Sequence, residues 1–227
     1  MRTKENNLVI LGLERNPEVA YRTVRTLEQE CNVRNPKILA CNFNVPSEYQ
    51  DIKPLNYSEL AKDPFFRFEE FDNKLLQLME SSRNSLYCFS LGCNIGAYLA
   101  TSIYVQKAVF VSPAFQAKKN SEHERTRMTL DALRTGLLAI RVQKKGKKSF
   151  VSDMTEINQY LVAMAKNDPY VDNEVTKKLI RERQEFAPRD YTIEREYPTD
   201  EHNILEDDDF KLVLASQIQE FNEYYKI

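Results

Sequence analysis

Ser90, Asp168 and His202 are the residues of this chain whose types and settings could do covalent chemistry. Ser90 closes the apolar run Ser85-Leu86-Tyr87-Cys88-Phe89. Gly92 follows two residues later, and the small-residue stretch Cys93-Asn94-Ile95-Gly96-Ala97 reads as a helix. A serine gains little from packing in such a place. A sharp strand-to-helix turn instead lifts its hydroxyl clear of the sheet edge and aims the next backbone N–H groups, with the positive end of the helix, at any oxyanion formed there. An ordinary strand–Ser–helix junction would look similar, so a base and an acid have to be sought elsewhere in the chain.

The chain has two histidines. His123, within Ser121-Glu122-His123-Glu124-Arg125, reads as a solvent-facing helix residue. His202, within Asp200-Glu201-His202-Asn203-Ile204, lies just past the last expected strand and ahead of the closing helix. Loops at that edge of a parallel sheet carry active sites. Asp168 is the first acid after the preceding strand, and Pro169 fixes the turn behind it. Asp172 competes for the same role and also suits the cap of a helix starting near Asn173. A serine, a carboxylate and a histidine thus fall on three loops of one sheet edge, in the order Ser…Asp…His. In such a set the imidazole takes the serine proton while the acid fixes the ring's tautomer.

The elements that must position these residues alternate. Strands are expected at Leu8 to Leu11, Ile38 to Cys41, Ser85 to Phe89, Ala108 to Val111, Tyr160 to Ala165 and Tyr191 to Tyr197. Helices are expected at Pro17 to Cys31, Phe65 to Ser81, Asn173 to Phe186 and Asp207 to Tyr225, besides the one after Ser90. This alternation predicts an α/β protein with a mostly parallel sheet of about six strands and helices on both faces. Asn42 to Asp63 reads as a long polar and aromatic connection. Residues 116–156 break the pattern as an insertion, with an apolar stripe (Met128, Leu130, Leu133, Leu137, Leu138) and the run Lys144-Lys145-Gly146-Lys147-Lys148, read as a solvated turn.

Composition bounds the function. The 227 residues suit a single α/β domain spanning 1–227, with 42% hydrophobic and 29% charged residues. A net charge of −2 supplies no general attraction to nucleic acid or anionic membrane. No apolar run is long enough to span a bilayer and the first residues lack a signal-peptide pattern, so the expected compartment is the cytoplasm. Cys31, Cys41, Cys88 and Cys93 include no CxxC pair, which supports neither a zinc site nor a thioredoxin-type motif. No metal or organic cofactor is called for.

On Cys88-Phe89-Ser90-Leu91-Gly92, Asn167-Asp168-Pro169 and Asp200-Glu201-His202, the chain resembles the α/β-hydrolase superfamily, in particular its small single-domain esterases and thioesterases. The resemblance covers nearly the whole chain and implies a trimmed version of that fold, without the first two antiparallel strands and with residues 116–156 as a lid. It implies a serine hydrolase that cleaves a small-molecule carboxylic ester or thioester through Ser90, His202 and Asp168. The oxyanion donors would be the Leu13 and Leu91 N–H groups, and Phe115 and Tyr170 would touch the substrate. Cys88 stands where the family's elbow begins with glycine, and Leu11 where a histidine usually precedes the glycine. Those departures suit a second reading, a catalytically silent member acting as an accessory or interaction protein.

Overall fold

The computed structural model describes residues 6–12, 17–41, 52–55, 84–101, 104–118, 141–153 and 159–224. Its apolar runs form one sheet because both faces are covered. The strands are β1 (Asn6–Ile10), β2 (Lys37–Cys41), β3 (Ile52–Leu55), β4 (Asn84–Phe89), β5 (Val105–Val111), β6 (Gln159–Ala165) and β7 (Tyr191–Tyr197). They lie in the order β3-β2-β1-β4-β5-β6-β7, and all adjacent pairs are parallel. Every residue of β1 and β4 is buried, as a central parallel strand requires. β3 is a seventh strand within the stretch read as a connection. Its four residues include Pro54, and it pairs at the sheet edge, where a missing N–H is tolerated.

Five helices are described: α1 (Pro17–Gln29), α2 (Gly92–Leu99), α3 (141–148), α4 (Asn173–Phe186) and α5 (Lys211–Tyr224). Pro17 opens α1 with its φ already helical, and Ala20, Val24 and Leu27 recur at helical spacing on its buried face. Period-two alternation in the strands divides the core. Leu8, Ile10, Leu86, Cys88, Phe110 and Val162 pack with α2, α3 and α4. Val9, Tyr87, Val109 and Leu161 pack with α1 and α5. Each large apolar side chain so buried stabilises the fold by about 1.5–3 kcal/mol.

Two expectations need correction. The lysine-rich run is not a solvated turn, since residues 144–148 lie within α3. Gly146 is buried against α2, where a Cβ would meet the Asn94 Cβ at 2.6 Å. A charged run marks the face a helix shows to water, and says nothing of the face it packs. The closing helix starts at Lys211, because Asp207 instead caps a turn, accepting from the Asp209 and Phe210 N–H groups at 2.9 and 3.3 Å. The expected helix at Phe65 to Ser81, His123 and the apolar stripe from Met128 to Leu138 lie outside the described residues. So does most of the insertion. Among the described residues no helix is long and apolar enough to cross a membrane.

Candidate active site

Strand order turns outward in both directions from β1 and β4. The crevice at such a switch point is where an open α/β sheet binds ligands. Ser90 ends β4 there with φ 52°, a left-handed value that few non-glycine residues adopt. Tertiary contacts hold the strained turn: the Ser90 N–H donates to Val111 O at 3.0 Å, and Ser90 O accepts from Ala114 N at 3.1 Å. Gly12, just after β1, passes so close that a Cβ would stand 2.6 Å from the Ser90 Cβ. Only a hydrogen fits there.

The other two loops are neighbours because their strands are. Beyond the ends of β6 and β7 the pairing continues, with Lys166 N to Tyr197 O at 2.8 Å and Asn167 N to Thr199 O at 3.0 Å. Asp168 follows at once and is fully buried. Its Oδ1 accepts from the Tyr170 and Val171 N–H groups at 2.8 and 3.0 Å, which leaves Oδ2 for His202 Nδ1 at 2.6 Å. His202 Nε2 lies 2.8 Å from Ser90 Oγ. With the proton on Nδ1, the ring donates to the carboxylate while Nε2 accepts the serine hydroxyl. The Tyr170 ring meets the imidazole edge-to-face at 5.4 Å. Such a line can move a proton from Ser90 to His202 against a fixed negative charge.

The base loop is fastened to α1. Asn203 Nδ2 donates to Thr23 Oγ1 at 2.8 Å, and Asn203 Oδ1 accepts from the Leu205 N–H at 3.3 Å. Arg22 and Glu206 form an ion pair at 2.7 Å. Thr199 Oγ1 donates to Asp207 Oδ2 and accepts from the Glu201 N–H at 3.0 Å. Sequence reading does not single out Thr23, Asn203 or Asp207 for this task. The one local signal is that Asn and Asp favour turns and caps.

The structure therefore brings Ser90, Asp168 and His202 together. Asp172 is elsewhere: it caps α4, accepting from the Glu174 N–H at 3.2 Å. Leu91 is the N-cap of α2, whose first helical contacts run from Cys93 N to Ser90 O and from Asn94 N to Leu91 O. The Leu91 N–H thus precedes the helical ladder, as the first N–H groups of any helix do. Leu13 lies outside the described residues. Phe115, expected to touch substrate, is fully buried with its ring 5.0 Å from that of Phe150. That is a core position, and its spacing after β5 could not reveal which way the chain turns. Cys88 fits the elbow because its sulfur occupies the notch over Gly96, where a Cβ would approach it to 2.4 Å. Burial pushes the Cys88 and Cys93 thiols well above their ordinary range, so neither competes as a thiolate nucleophile. Among the described residues no group of three or more His, Cys, Asp or Glu side chains could hold a metal ion.

No protein-family model matches the sequence. Comparison with curated proteins finds no significant match either. Solved structures do resemble it. A soluble variant of the monoglyceride lipase of Saccharomyces cerevisiae superposes with a TM-score of 0.61 at 13% identity, over 97% of this chain and 88% of that one. The monoacylglycerol lipase of Paleococcus ferrophilus gives 0.57 at 14% identity, over 95% and 92%. A carboxyl esterase of Bacillus coagulans gives 0.56 at 11% identity, over 100% and 92%. At such identities the likeness speaks for architecture, and the architecture is that of the α/β-hydrolase fold.

Proposed function

We propose that this protein is a serine hydrolase that cleaves a carboxylic ester or thioester of a small or acyl substrate. The observation that carries the reading is the continuous line from Ser90 Oγ to His202 Nε2 at 2.8 Å and from Nδ1 to the buried Asp168 carboxylate at 2.6 Å. Ser90 Oγ attacks the carbonyl carbon while His202 Nε2 takes its proton, and the carbonyl electron pair moves onto oxygen. The Leu91 and Leu13 N–H groups receive that oxyanion; losing one such donor lowers kcat by about 10²–10³. Collapse expels the alcohol or thiol, protonated by His202, and leaves an acyl-Ser90 ester. Water, deprotonated by His202, then releases the acid. Asp168 stabilises the imidazolium in both halves. Tyr170, against the imidazole, is the aromatic residue proposed to meet the substrate.

The named lipases and carboxyl esterase of this fold lend support to ester chemistry. A fluorophosphonate probe tests the reading. Wild-type protein should label and Ser90→Ala should not, while Asp168→Asn should slow p-nitrophenyl ester hydrolysis by about 10²-fold or more at unchanged fold. Folded wild-type protein that takes up no label overturns the proposal.

A further inference from the structure

Asp168 is gripped from outside by the root of the insertion. Ala117 forms an antiparallel bridge with Val171, flanked by Lys118 N to Tyr170 O at 2.8 Å and Asp172 N to Gln116 O at 2.9 Å. Above that short ladder the Lys118 ammonium donates to the Asp168 backbone carbonyl at 2.5 Å. The Gln116 side chain is held in turn by Lys147 of α3, whose Nζ donates to Gln116 Oε1 at 2.9 Å. The first four contacts join the insertion to residues 168–172, and the last ties its root to α3.

We propose that Lys118 is a positioning residue for Asp168, through which the root of the insertion sets the geometry of the proton relay. The proposal rests on the serine-hydrolase reading of Ser90, His202 and Asp168. Asp168 has three polar anchors besides His202. Its N–H goes to Ala165 O at 3.2 Å, and its Oδ1 takes the two following N–H groups. The Val171 N–H, which a simple turn would give to the Asp168 carbonyl, goes to Oδ1 instead. Lys118 supplies a charge-assisted donor to that carbonyl, of the stronger kind. Pro169 fixes φ on the far side of the 168–169 peptide, so ψ of Asp168 is the torsion left free to shift Oδ2 relative to Nδ1. Lys118 resists that rotation from a surface position, since the residue itself is exposed. A function in core stability is therefore a poor explanation of the contact. A function in aiming the carboxylate is a good one, because displacements of about 1 Å in a catalytic set lower rates by up to about 10²-fold.

Lys118→Met and Lys118→Arg test this, with fluorophosphonate labelling rates, p-nitrophenyl ester kinetics and thermal midpoints measured on the full chain. Lys118→Met should lower the labelling rate and kcat about tenfold, with KM within about twofold and the thermal midpoint unchanged. Lys118→Arg, which keeps a cationic donor, should recover most of the loss. A downfield proton resonance of His202 Nδ1–H is expected in wild type and in Lys118→Arg, and should shift or broaden in Lys118→Met. If Lys118→Met labels at the wild-type rate, or its loss follows a fall in thermal midpoint, Lys118 has no positioning role while the hydrolase reading stands. Wild-type protein that fails to label overturns both.

Discussion

A methyl group at Gly96 would stand 2.4 Å from the Cys88 sulfur and 3.5 Å from the Phe110 ring, so the residue pair 88 and 96 shares one fixed volume. Read alone, Cys88 looks like an intrusion on the elbow, because a side chain replaces a glycine at a tight turn. Gly96 on the facing helix leaves the room that the Cys88 sulfur takes, which no local pattern reveals. Gly96→Ala should therefore destabilise the protein by about 1–3 kcal/mol through overpacking, and Cys88→Ala in the same chain should recover part of that loss. Urea unfolding of the two single variants and the double variant measures the coupling. Additive losses would mean that the two side chains do not share the space.

At the scale of elements, the loop between β7 and α5 carries His202 and is closed at its base by Thr199 and Asp207. The hydrogen bond from Thr199, ahead of the Asp209 and Phe210 N–H groups, holds the Asp207 carboxyl below its ordinary value. A carboxyl whose native pKa is depressed contributes stability above its unfolded value, and that contribution disappears as the pH falls through the native one. Asp207→Ala should thus lower the urea midpoint at neutral pH, and the gap to wild type should narrow below about pH 4. A gap that stays constant on acidification would show that the carboxylate charge is not what closes the loop. The order of strand, acid loop, helix, strand and base loop is legible in the sequence, since β-branched runs and caps are local signals. The choice between Asp168 and Asp172 is not, because both lie on the loop after β6 and only the fold decides which meets His202.

Across the whole molecule, Arg183 ties three parts of the chain together from a buried position. Its Nη1 donates to Phe150 O at 3.1 Å, in the π-helical turn Ser149–Asp153, and its Nη2 meets Asp190 Oδ2 at 2.5 Å just before β7. The guanidinium also lies 5.7 Å from the centre of the Tyr160 ring. Burial pushes the Asp190 carboxyl up although Arg183 opposes it, so desolvation is the larger effect on that carboxyl. Arg183→Met should lower stability by about 3 kcal/mol, because it leaves Asp190 and the Phe150 carbonyl without their donor. Adding Asp190→Asn should restore part of it, and thermal or urea unfolding reads both. An Arg183→Met protein as stable as wild type would mean that residues 149–153 are held by apolar packing alone.

The sequence by itself determined the alternation of strands and helices, the sheet edge at which chemistry could occur, and the order in which a serine, an acid and a histidine reach it. Those are consequences of local periodicity, caps and turns, each set within about ten residues. Tertiary structure decided the rest. It brought Ser90 and His202, 112 positions apart, and His202 and Asp168, 34 positions apart, to hydrogen-bond distance. It also buried one face of a lysine-rich run against Asn94 and joined Lys118 to a carbonyl 50 residues away. Parallel strands leave their C-terminal ends side by side whatever the length of chain between them, and that is why these partners meet although no local pattern names them.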